Sequence, residues 1–121
     1  MSLTAYQKTL KATEHPRDVE YRLFGQVTRA LLEAAPLPRT DPKKIAAIDW
    51  NRRVWSTMAG DCSSDANAMP PQIRAGIISL SLFVARYSSQ VMASAMPIDP
   101  LIEINRTIMQ GLAARPTASA A

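Results

Sequence analysis

Nine prolines constrain this chain more than any other feature, because they fall between stretches of helical periodicity and not inside them. Proline lacks the N–H that a helix interior needs and clashes with the preceding turn, so it is confined to first turns and breaks. His15-Pro16, Pro36, Pro38, Asp41-Pro42, Pro70-Pro71, Met96-Pro97 and Asp99-Pro100 therefore mark boundaries. Between them apolar residues recur at three- and four-residue steps. No alternating pattern or hairpin turn signals a strand. The expected fold is all-α: a single-domain helical bundle of about four main helices plus a short N-terminal helix.

That short helix is expected from about Ser2 to Thr13, with Leu3, Tyr6 and Leu10 on one side. The next starts at Pro16, with Asp18 and Glu20 in the turns where the helix dipole favours carboxylates. Its stripe is Leu23, Val27, Ala30, Leu31 and Ala34, with Phe24 at the edge. Asp41 reads as an N-cap before Pro42 and Gly60 as a C-terminal stop. The helix between them carries Ile45, Ile48, Val54, Trp55 and Met58. A loop from Gly60 to Pro71 follows.

The fourth segment is apolar on two sides. Ile73, Ile77, Leu80, Val84, Tyr87 and Val91 mark one face, and Ile78, Leu82, Ala85 and Met92 a second. Such a helix is expected to be sandwiched centrally in the bundle; otherwise its second face is open to a partner. Asp99-Pro100 repeats the cap-plus-proline signature and opens a last helix with Leu101, Ile102, Ile104, Ile108, Met109 and Leu112. The folded domain is expected over residues 1–113, with 114–121 a disordered tail.

Several polar residues sit where the wheel expects core. Asn51 lies between Val54 and Ala59 on one helix, and Asn105 among Leu101, Ile108 and Leu112 on the last. A buried amide costs roughly 1–3 kcal/mol when unpaired, so both need partners: a structural role fixing helix register, or bonds to a bound helix. Glu20 lies on the apolar face of its helix and calls for a cation, with Arg52, Arg53, Arg74 and Arg106 as candidates. Trp55 falls in the core arc. Trp50, at its edge beside Arg52 and Arg53, has the character of an interface anchor. Partner contacts are thus expected from Trp50, Arg52, Arg53, Ile78, Leu82, Met92 and Arg106.

The formal charge of +4 raises nucleic-acid binding. Up to Gly60 there are ten Lys or Arg against six Asp or Glu, and beyond it four against four. Only Lys43-Lys44 and Arg52-Arg53 are adjacent, as solvated helix faces allow. The one cysteine, Cys62, has no second thiol or histidine nearby, and His15 sits at a helix junction. There is no glycine-rich phosphate loop, no metal-ligand spacing and no nucleophile near a base. No enzymatic activity, cofactor or metal is expected. The run from Ile77 to Ala85 is far shorter than the roughly 20 residues of a membrane span, and the first residues hold no apolar signal core. A cytoplasmic location without membrane contact is expected.

Five blocks, taken in order, carry a resemblance: Ala5-Tyr6; Pro16-Arg17-Asp18-Val19-Glu20 with Tyr21-Arg22-Leu23; Asp49-Trp50-Asn51-Arg52-Arg53-Val54-Trp55; the run from Arg74 to Ser89; and Leu101 to Leu112. From about Leu3 to Leu112 the chain resembles the FlaF family of small flagellin-assembly proteins. The resemblance implies a protein needed for flagellin production and filament assembly, alongside the flagellin regulator FlbT. It also implies direct binding of flagellin, most simply a terminal helical segment, and hence a secretion-chaperone role. Alternatives from other classes are a small RNA-binding regulator acting on flagellin message and a homodimeric scaffold.

Overall fold

A computed structural model describes residues 16–64 and 69–113. Within them the chain forms four helices, α1 (Pro16–Ala34), α2 (Pro42–Cys62), α3 (Pro71–Ala93) and α4 (Asp99–Ala113). The expected N-terminal helix, His15 and the residues after Ala113 lie outside the described residues.

The proline boundaries act as the chemistry requires. Asp41 is extended (φ −64°, ψ 127°), and its carboxylate accepts the Lys43 N–H at 2.8 Å, with Pro42 opening α2. This satisfies one of the donors that every helix N-terminus leaves unpaired. Asp99-Pro100 works differently. The Leu101 and Ile102 N–H groups both bond to the Ile98 carbonyl, so Asp99 sits one position inside α4 and its charge serves the first turn. Gly60 does not stop α2, which runs on to Cys62; Ser63 caps it in a right-handed conformation, its N–H bonding to Ala59 and Gly60 carbonyls. No glycine among the described residues has a positive φ, so Gly60 supplies no left-handed stop.

The helices are arranged as a square in chain order. α2 packs along both α1 and α3, α1 also packs along α4, and α3 and α4 meet only sparsely. Lys44 Nζ donates to the Ala35 and Leu37 carbonyls, tying down the α1–α2 loop, and Arg39 Nη1 donates to the Met92 carbonyl at the end of α3. At the α3–α4 corner Tyr87 Oη donates to the Pro97 carbonyl at 2.6 Å, with Phe83 stacked on the Tyr87 ring.

The core is filled from all four sides by Phe24, Val27 and Leu31 of α1, Ile48, Trp55 and Met58 of α2, Ile77, Val84 and Val91 of α3, and Leu101 and Ile102 of α4. Phe24 and Trp55 meet edge to face with ring centroids 5.3 Å apart. Large side chains of this kind each contribute about 1.5–3 kcal/mol through burial.

Three expectations are corrected here. α3 is not sandwiched centrally: Ala75, Ser79, Leu82, Arg86 and Ser89 face solvent. Its second apolar stripe is instead one flank, on which Ile78 and Met92 pack against the core while Leu82 stays 62% exposed. Ile45 is exposed because it stands about 120° around α2 from the centre of the buried arc at Asn51. Ile73 lies on the buried side of α3, but in its first turn, where side-chain cover runs out, and it too is exposed.

Candidate functional site

One surface feature of the described residues begins with small side chains on two neighbouring helices. Leu23, Ala30 and Ala34 share an arc of about 40° on α1. On the facing flank of α2 stand Ala46, Ala47, Trp50 and Val54. A depression of about 630 Å³ is lined by Ala30, Glu33, Ala34, Leu37, Lys43, Ala46, Ala47, Trp50 and Arg53. A second, of about 320 Å³, is lined by Glu20, Leu23, Phe24, Trp50, Arg53, Val54, Thr57, Met58 and Asp61. Trp50 and Arg53 belong to both, so the two form one groove along α1 and α2. Alanines make its floor near the α1–α2 loop, and half-buried Trp50 stands at its middle.

The charges on the groove are unevenly placed. Lys43 and Glu33 stand at the loop end, Arg53 at the centre, and Glu20 and Asp61 at the far end. Glu33 pairs with Arg29 at 3.3 Å. Arg53 Nε lies 3.1 Å from Asp49 Oδ2, and Arg52 bonds to Asp49 Oδ1. Asp49 is held below its ordinary pKa by the hydrogen bond from Arg52 and the charges of Arg53 and Arg52, against a smaller opposing effect of desolvation. Arg52 points about 160° around α2 from Trp50 and so lies outside the groove. Arg106 lines a separate depression with Tyr21, Met109 and Gln110, between α1 and α4.

The seven side chains expected to contact a partner are thus not gathered on one face. Trp50 and Arg53 share the groove, Arg52 and Arg106 lie elsewhere, Ile78 and Met92 contribute to the core, and Leu82 projects from the outside of α3. Sequence reading missed the alanine floor. Its signal, alanine pairs on facing helices, carries meaning only once α1 and α2 are known to be neighbours.

Asn51 and Asn105 are fully buried and bond to each other. The Trp55 Nε1–H donates to Asn105 Oδ1 at 2.8 Å, and Asn105 Nδ2 donates to Asn51 Oδ1 at 2.7 Å. An indole is a donor only, so Trp55 fixes the orientation of Asn105, which fixes that of Asn51. Among the described residues, the buried Asn51 Nδ2, Arg74 Nε and Ser88 Oγ are left without a hydrogen-bond partner. This relay joins α2 to α4 across the diagonal of the square and is closed to a docking helix. Glu20 is half-buried at the groove, on the same lining as Arg53. Arg74 Nη1 donates instead to the Ser64 carbonyl. Cys62 is a buried thiol whose pKa is raised, chiefly by burial, then by the charges of Glu20 and Asp61.

Among the described residues, no three His, Cys, Asp or Glu side chains converge to hold a metal ion, and no helix is long and apolar enough to cross a membrane. Against protein families, residues 2–112 match that of flagellar protein FlaF. The chain belongs to the FlaF family. The match runs from the N-terminal segment through α4, so the groove and the buried relay both lie within the FlaF region. Comparison with curated proteins and with solved structures gives no match.

Proposed function

We propose that this FlaF-family protein is a non-enzymatic flagellin-binding protein, a secretion chaperone and regulator acting in the cytoplasm for flagellin production and filament assembly. The observation that carries the reading is family membership over residues 2–112. The molecule adds physical support. A small bundle leaves part of its apolar surface uncovered, and here the uncovered part includes a groove along α1 and α2 with an aromatic side chain at its middle. Flagellin's terminal segments form apolar-faced helices in the filament, and a free subunit needs such a face shielded before export. Helix-in-groove capture is the recognition mode suited to that task, with apolar contacts supplying affinity and rim charges orienting the partner.

The RNA-regulator reading draws on the net charge, but Arg52 and Arg53 both face Asp49, which leaves less basic surface for a phosphate backbone. A functional link to FlbT fits either reading. The deciding experiment is a pull-down of monomeric flagellin by the purified protein, run beside a binding assay with flagellin leader RNA. Capture of flagellin at micromolar concentration without RNA binding is expected. Tight RNA binding without flagellin capture would transfer the function to the message.

A further inference from the structure

We infer that the α1–α2 groove, and not the outer face of α3, is where this protein holds its partner helix, with Trp50 as the central anchor. The inference rests on the flagellin-binding reading and specifies its site. Three observations converge on it. The first is length: from Lys43 to Asp61 along α2 is about 27 Å at 1.5 Å per residue, room for a helix of about five turns. The second is relief. Ala30, Ala34, Ala46 and Ala47 lower the floor so that a helix backbone approaches closely, while Trp50 gives one large contact of the kind that dominates binding energy. The third is charge. Lys43 stands beside Glu33 at the loop end, where Glu33 is paired with Arg29; Arg53, paired with Asp49, is at the centre; and Asp61 with Glu20 makes the other end acidic.

The occupant that complements this is an amphipathic helix of about 18 residues. Its apolar stripe repeats at i, i+3/i+4 and i+7. A carboxylate flanks the stripe beside Lys43, and a lysine or arginine stands at the Asp61 end. Its own N-terminus, the positive end of its dipole, is favoured at that acidic end. The partner helix therefore runs parallel to α1. The outer face of α3 has no such construction: Leu82 is the one large apolar side chain among Ala75, Ser79, Arg86 and Ser89.

The test titrates purified monomeric flagellin into the full-length protein by calorimetry. Ala46→Arg fills the floor from an exposed position and is expected to weaken binding at least tenfold with helicity and thermal midpoint unchanged. Trp50→Ala should lose a similar factor; if it unfolds, Ala46→Arg carries the test alone. Leu82→Lys should stay within twofold of the parent. Lys43→Glu and Asp61→Lys should each weaken binding several-fold. Parental affinity in a folded Ala46→Arg variant overturns the groove, as does loss of binding in Leu82→Lys alone. A free protein that sediments as a dimer and becomes monomeric on Ala46→Arg would make the groove a self-interface and overturn it too. Absence of binding by the unmodified protein defeats the flagellin reading itself, a different outcome from all of these.

Discussion

Asn105 accepts from one buried donor and donates to one buried acceptor, so its removal is expected to cost more than the removal of Asn51. Asn105→Ala strands the Trp55 indole N–H and the Asn51 oxygen, each penalised by about 1–3 kcal/mol. A loss of about 2–6 kcal/mol is expected. Asn51→Ala strands only the Asn105 amide and also removes the unpartnered Nδ2, so about 1–2 kcal/mol is expected. Urea denaturation of both variants checks the order; equal losses, or a larger one for Asn51, would dismantle the relay. The wheel placed both amides among apolar neighbours from sequence alone. That they meet each other was not legible, because the contact is made across the diagonal of the bundle and depends on how four helices dock. Two other residues give a pH dependence. Burial raises the Cys62 thiol above its ordinary 9.0 and, with a smaller effect of Asp99, the Tyr87 phenol above 10.0. In both cases the folded state keeps a proton that the unfolded chain releases. Their contribution is therefore fully present below the unfolded pKa values and is lost as pH rises through the folded ones. The urea midpoint should be level from about pH 6 to 8 and fall above about pH 9, less steeply in Cys62→Ala; a midpoint rising over that alkaline range would contradict it.

Helices in this chain are bounded by local chemistry and stabilised by packing, and the two respond to different substitutions. Asp41→Ala deletes the carboxylate that holds the Lys43 N–H and is expected to lower stability by about 1 kcal/mol. No comparable effect is expected at Asp99, since the Ile98 carbonyl receives the first bonds of α4. Gly60 and Gly76 sit within α2 and α3 with negative φ and open space where a Cβ would stand. Gly60→Ala and Gly76→Ala should therefore each stabilise by about 0.5–1 kcal/mol, read as a raised thermal midpoint; a lower midpoint would mean that a neighbour occupies that space. Proline placement made α1 to α4 legible almost to the residue, because the constraint is local. Gly60 misled since glycine permits a helix to end without requiring it, and α2 continues while Met58 and Cys62 still have core to bury into. The two-sided pattern of α3 misled for another reason. Periodicity gives the angular width of an apolar face but not the number of helices that cover it, and one flank here is covered while Leu82 is not.

At the scale of the molecule, the square arrangement converts helix faces into surfaces, and this step is invisible to periodicity. The groove exists because α1 and α2 are neighbours with alanines on facing flanks, whereas the same alanines read singly are ordinary helix formers. Charge at this scale separates the two main functional readings. Were phosphate contacts to carry the affinity, engaging as few as four, the number of the formal charge excess, would give a slope of about −3.6 in log affinity against log salt. Between 50 and 300 mM salt such a complex would weaken by roughly 600-fold. An apolar groove with a few rim charges behaves otherwise, because salt screens exposed pairs and leaves apolar burial intact or strengthened. The flagellin complex is therefore expected to change affinity by no more than about threefold over that range, with the modest loss appearing in the association rate, where rim charges act. Calorimetry at both salt concentrations, with surface plasmon resonance for the rates, measures it. A loss beyond about 100-fold would show the basic residues to be the principal contacts, and would point away from the groove and toward a polyanionic partner.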